Sequence, residues 1–156
     1  MSKFPTVRTA ARAVIIKDGK LLVVTMQDAK GTFYILPGGG QRSGENLRDT
    51  LRRECQEELG CTVDIGELLY VREYIGKNHQ FSDNHQSFHQ VEIVFRATLT
   101  GNCAEDYGPG RDYRQIGLAW LDITELDKYA FFPEALKPYF KDGNVCVVPV
   151  YMGDIN

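Results

Sequence analysis

A chain of 156 residues, with 18 basic and 21 acidic side chains, is long enough for one domain that hides roughly 70% of its unfolded surface without staples. At 43% hydrophobic and 25% charged residues it has the make-up of an ordinary soluble globular protein. A formal net charge of -3 supplies no basic surface for nucleic acid or membrane, so partners have to be read from a site.

The opening MSKFPTVRTAAR carries charge but no apolar signal core, and the longest apolar runs are far too short to span a bilayer. The expectation is a single cytoplasmic domain over 1–156. Residues 10–17 and 20–26 are β-rich runs around Asp18-Gly19, a strong hairpin signal. After Gly31, TFYIL leads into Pro37 and three successive glycines, which break regular structure. A helix is predicted from near Glu45 to Gly60, which is placed as its C-cap. TVDIGELLYVREYIG and FHQVEIVFRATL read as strands, joined by a polar surface flap, KNHQFSDNHQS. A second loop, GNCAEDYGPGRDYRQ, precedes a short strand around LAWLDI. Helical signals follow in TELDKY and PEALKPYF, then VCVVPVYM as a last strand that Pro149 confines to an edge. Cys55, Cys61, Cys103 and Cys146 form no C-x-x-C pair and read as free thiols. Strand hairpins around one long helix give an α/β (α+β) class. A mixed or antiparallel sheet with helices on its faces, equally an α/β/α sandwich, is expected.

The helix is unusual in its acids. At 100° per residue from Leu47, Leu51, Cys55 and Leu59 fall at about 40°, 80° and 120°, one apolar stripe facing the sheet. Glu58 at about 20° lies inside that stripe and Glu54 at about 340° on its edge, while Glu57 at about 280° is nearer solvent. Arg53 is spaced to pair with Glu57, but neither Glu54 nor Glu58 has a cation three or four positions away. Two readings of these acids stay open: a solvated face with distant basic partners, or an oxygen-ligand site for a hard cation such as Mg²⁺. Gly38, Gly39 and Gly40 would let the backbone approach such a site, although no P-loop or dinucleotide fingerprint is present.

Gly39, Glu45, Arg53, Glu54, Glu57, Glu58 and Gly60 fit G-x5-E-x7-R-E-U-x-E-E-x-G-U, where U is a bulky aliphatic residue. The chain thereby resembles the Nudix hydrolases. It departs from the pattern only at Cys55 and Cys61, where a small apolar thiol takes the U positions. The resemblance implies an α/β/α sandwich around a mixed sheet and hydrolysis of a diphosphate linkage in a nucleoside diphosphate derivative. It implies Glu54 and Glu58 as metal ligands, Glu57 as a further ligand or a group behind them, and the carbonyl of Gly38 completing the site. Mg²⁺ is the implied cofactor, with Mn²⁺ as substitute. Arg53 would orient the catalytic glutamates, Glu45 would brace loop against helix, and Glu54 is the first choice of base. Gly39 and Gly60 are structural positions of the motif. Many members are dimers, so a homodimer is the implied assembly.

Arg12 on the first strand, and Tyr34 or Phe33 before the glycines, are candidates to meet phosphate or base. His85 and His89 have the spacing of a helical zinc pair, but SFHQVEIVF alternates as a strand and argues against zinc. Glu92 and Arg96 share the face opposite Val91, Ile93 and Phe95, and Glu105, Asp106 and Asp112 sit in a loop that could add an acid. RTAARAVIIKDGKLLVV and HQVEIVF look similar to members grouped with ADP-ribose pyrophosphatases. The substrate expected first is therefore ADP-ribose or a nucleotide sugar, a nucleoside triphosphate next, with a non-catalytic nucleotide sensor as the alternative of another class.

Overall fold

A computed structural model describes residues 6–81, 85–101 and 114–156. In chain order the strands are β1 (Arg8–Lys17), β2 (Lys20–Asp28), β3 (Gly31–Ile35), β4 (Gly38–Gly40), β5 (Thr62–Ile75), β6 (His89–Thr100), β7 (Gln115–Asp122), β8 (Phe131–Phe132), β9 (Phe140–Lys141), β10 (Asn144–Val145) and β11 (Tyr151–Asp154). The α-helix α1 (Leu47–Leu59) lies between β4 and β5.

Asp18 and Gly19, with φ of 52° and 73°, make the predicted tight turn. The β1–β2 hairpin nevertheless pairs only at its tip, Ile16 with Leu21 and Lys17 with Lys20. The rest of β1 is taken by β6, which runs parallel to it, and by β4, which runs antiparallel. β2 turns away to pair with β3 and β7. The result is one curled mixed sheet in the order β11-β5-β6-β1-β2-β3-β8, with β4 beside β1 and β7 beside β2.

Strand alternation gives β1 two different faces. Ala11, Ala13 and Ile15 are buried against Leu51, Cys55 and Leu59 of α1, while Val14 joins Tyr70, Val94, Leu126 and Leu136 in a second core. Burial of each such leucine contributes roughly 1.5–3 kcal/mol, which fixes α1 on the sheet. Its start is capped by Asn46, whose side chain accepts the Asp49 N–H at 2.9 Å, and its end by Gly60 at φ 68°. Glu58 is buried with the apolar stripe, as the wheel predicts.

Three expectations are corrected. TELDKY and PEALKPYF form short 3-10 helices, Ile123–Lys128 and Glu134–Tyr139, rather than α-helices: each is only six residues long, and Pro138 inside the second removes a backbone donor. The last strand begins after Pro149, at Tyr151, and runs parallel to β5 on the sheet edge, while residues 146–149 carry no strand. Cys55 and Cys146 are free, but Cys61 is disulfide-bonded, and Cys103 lies outside the described residues. The register Thr62↔Thr100 brings the end of β6 beside Cys61, a proximity that sequence spacing does not reveal. Among the described residues no helix is long and apolar enough to cross a membrane.

Candidate active site

The sheet face that carries Val14, Val94 and Tyr70 changes character along its strands. Toward the start of β1 it presents Arg8 and Arg12, flanked by Gln90 and Glu92 on β6 and by Arg72 and Tyr74 on β5. These side chains floor a cavity of about 440 Å³, whose wall includes Gly38, Gly39, Glu54, Glu57 and Glu58. The helix acids and the charged end of the sheet therefore share one cleft.

Glu58 is 3% exposed and accepts the Gly38 N–H and the Gln115 amide, each at 3.0 Å. Burial pushes its carboxyl up to about 7, against the pull of Arg12. Glu54 packs directly on Gly39: a Cβ there would lie 2.5 Å from the carboxylate carbon, so this position admits no side chain unless Glu54 moves. Helix spacing leaves Glu54 without a cation, and here the structure corrects the expectation. The adjacent Arg53 curls back to donate to Glu54 at 2.9 Å. Arg53 also donates to Glu45 at 2.5 and 3.0 Å, to the Gly40 carbonyl at 2.9 Å, and to Glu57 at 3.4 Å. The hydrogen bond from Arg53 leads the forces that hold Glu45 down to about 2. Glu45 in turn accepts the Thr50 hydroxyl at 2.8 Å and the Arg42 N–H at 3.2 Å, which ties loop to helix.

The floor is organised by a buried carboxylate. Glu92, 4% exposed, accepts from Arg72 at 3.0 Å, Arg12 at 3.3 Å and Gln90 at 2.7 Å. Burial alone would raise its carboxyl, but Arg72 and Arg12 outweigh it and hold the group at about 2. Arg12 further donates to the carbonyls of Leu36 and Gly38 at 3.0 and 3.1 Å. Arg72 donates to the Ile155 carbonyl at 2.6 Å. Arg72, Arg8 and Gln115 escaped the sequence reading. Arg8 carried a signal, since it stands four residues from Arg12 and so on the same face of β1, whereas Arg72 and Gln115 are brought to the cleft by pairing with distant strands.

Tyr34 turns away from the cavity and packs edge-on against Tyr129, with ring centroids 5.7 Å apart. Its neighbour Phe33 lines the cleft with Phe81 and Phe132, the rings 5.0–6.1 Å apart. Phe81 belongs to the segment expected to be a polar surface flap, so that segment contributes to the cleft wall. His85 bonds the Tyr74 hydroxyl at 2.8 Å and also faces the cleft, whereas His89 pairs with Glu73 at 3.0 Å. The two histidines do not converge. Arg96 pairs with Glu67, not Glu92. Glu105, Asp106 and Asp112 lie outside the described residues.

Glu54, Glu57, Glu58 and the Gly38 carbonyl are hard oxygen donors, and the burial of Glu58 beside Glu54 makes a divalent cation an electrostatically suitable occupant. Among the described residues no three or more His, Cys, Asp or Glu side chains are gathered closely enough to hold a metal ion by themselves.

The NUDIX domain profile matches residues 7–142. The chain is 43% identical over 129 residues to a protein named nucleoside triphosphatase NudI from Salmonella agona, covering 78% of this chain and 86% of that one. It is 45% identical over 64 residues to relatives of the same name from Escherichia coli, such as that of strain SE11, a match that spans 39% of this chain and only 45% of their length. A solved structure of a NUDIX hydrolase from Nitrosomonas europaea superposes with a TM-score of 0.68 over 83% of each chain at 18% identity, a likeness of fold. With motif, mixed sheet and profile in agreement, the chain belongs to the Nudix hydrolase family.

Proposed function

We propose that the protein hydrolyses a phosphoanhydride bond of a nucleoside triphosphate, yielding the monophosphate and pyrophosphate. The observation that carries this reading is the facing of three helix carboxylates onto a cleft whose floor holds Arg12 and Arg72. The cavity volume is in the range of small-ligand sites. The triphosphate, rather than ADP-ribose or a nucleotide sugar, is favoured by the name of the Salmonella relative. The stretches that pointed to ADP-ribose form β1, β2 and β6, which build floor and core and not the loops that choose a leaving group.

In this reading the carbonyl of Gly38 and the carboxylates of Glu54, Glu57 and Glu58 are the groups that would hold the ion. When bound, Mg²⁺, or Mn²⁺ in its place, offsets phosphate charge and acidifies a water. Arg12 and Arg72 present guanidinium groups to the phosphates from the floor. Their tie to Glu92 fixes their direction before substrate arrives, so little reorganisation is needed. Glu54 takes the proton of the attacking water, while Arg53 keeps that carboxylate seated on Gly39. Phe33, Phe81 and Phe132 offer faces to a base.

The test is turnover with Mg²⁺ on nucleoside triphosphates, ADP-ribose, a nucleotide sugar and a dinucleoside polyphosphate. Triphosphates should turn over fastest, and Glu57→Gln and Glu58→Gln should each lose orders of magnitude while remaining folded. Full activity in either variant, or in excess chelator, would sink the proposal. Tight binding of one nucleotide with no turnover would identify a sensor instead.

A further inference from the structure

From the cleft we infer that Arg8 is a phosphate-binding residue that grips the terminal phosphate of the substrate, and that Gly40 is glycine in order to seat it. The inference rests on the triphosphate reading above. Arg8 and Arg12 point to the same face of β1, four residues apart, so both border the cleft. Their situations differ. Arg12 and Arg72 are committed to one shared carboxylate, Glu92, and to backbone carbonyls. Arg8 has no hydrogen-bond or salt-bridge partner among the described residues, and its planar fork of donors is unspent.

Gly40 gives an independent indication. In the register Ala10↔Gly40 it lies beside β1, and a Cβ built on it would stand 2.2 Å from Arg8 Nη2 and 2.5 Å from Nε. Neither the family motif, whose first glycine is Gly39, nor a left-handed φ requires glycine at 40. What fills the space of the missing side chain is the Arg8 guanidinium. Adjacent residues of one short strand thus carry a carboxylate, Glu54 on Gly39, and a free guanidinium, Arg8 on Gly40. A phosphate chain crossing β4 would meet the acid-held ion on one phosphate and Arg8 on its end. A terminal phosphate offers oxygens that match the guanidinium fork two at a time. ADP-ribose and nucleotide sugars have no such terminal group.

The experiment measures kcat and KM of the full chain with Mg²⁺ and a nucleoside triphosphate, in wild type, Arg8→Ala, Gly40→Ala and the double variant. Fold is checked by circular dichroism. ADP-ribose is measured in parallel, as substrate or as competitive inhibitor. Arg8→Ala should raise KM for the triphosphate about thirtyfold, the loss of a charge-assisted contact, with kcat nearly kept. Gly40→Ala displaces only the far end of a flexible side chain, so it should fold normally and raise KM similarly. The double variant should be no worse than either single one. Affinity for ADP-ribose should hold in all of them. An unchanged triphosphate KM in Arg8→Ala, equal losses on both ligands, or additive losses in the double variant would overturn the role of Arg8. A wild type inert on every triphosphate would instead overturn the substrate reading on which it rests.

Discussion

Glu92 and Gly39 illustrate how single residues set the conditions for the cleft. Because two arginines outweigh the effect of burial and hold the Glu92 carboxyl at about 2 rather than its ordinary 4.5, the group contributes stability that is complete above pH 4.5 and lost as pH falls through 2. The depression corresponds to about 3 kcal/mol. Glu92→Gln is therefore expected to lose about that much in denaturant unfolding at pH 7. It should also show a shallower stability decline than wild type between pH 4.5 and 2; parallel declines would rule the linkage out. Gly39→Ala should leave the fold intact but push Glu54 off its seat, lowering kcat more than tenfold with little change in unfolding midpoint (about 1.4 kcal/mol per decade of rate). At this scale the sequence placed Glu54 and Glu58 on the protein side of α1, where both line the cleft, but not where Arg53 would reach. Side-chain spacing on a helix predicts partners three and four away, while a long flexible arginine can fold back on its neighbour. The choice between Tyr34 and Phe33 likewise depended on which parity of β3 faces the cleft, and that is decided by pairing with β2 and β8.

Among elements, α1 was legible in its apolar stripe, its acids and its end at Gly60, because these are local signals, while its start falls at Leu47 with Asn46 as cap rather than near Glu45. Asn46→Ala should cost about 1 kcal/mol by chemical unfolding while specific activity of the folded protein stays at the wild-type level, since the cap lies away from the acids. A loss of activity out of proportion would mean that the cap also positions the loop of Glu45. Less legible was the β1–β2 hairpin. Its turn is encoded by Asp18-Gly19, but how far the two strands stay together is decided by β4 and β6, which compete for β1 from distant parts of the chain. The segment after β5 was hidden by its composition: it is polar on average, and its Phe81 packs against Phe33 and Phe132, both distant along the chain. In VCVVPVYM the apolar run suggested a strand, yet Val147 is 94% exposed. Apolar residues alone do not make a strand when no partner edge lies beside them.

On the scale of the whole molecule, the cleft draws on α1, both halves of the curled sheet and the turn after β5, so a ligand that fills it links parts distant in sequence. A non-hydrolysable triphosphate with Mg²⁺ at a hundred times its Kd should stabilise the fold by about 2.7 kcal/mol. In a thermal scan that is about 6–10 °C of Tm for a chain of this size. Chelation of the metal should remove most of the shift, and a shift that survives chelator would detach nucleotide binding from the acids.

The two faces of β1 have an evolutionary consequence. Odd-numbered residues Ala11, Ala13 and Ile15 support α1, whereas Arg8 and Arg12 address the cleft. Selection can therefore retune what the enzyme recognises through one set of codons while the other set preserves foldability. A directed library confined to positions 8, 74, 81 and 90, all on the cleft side, should accordingly retain a larger share of folded variants than one of equal size at 11, 13, 51 and 55.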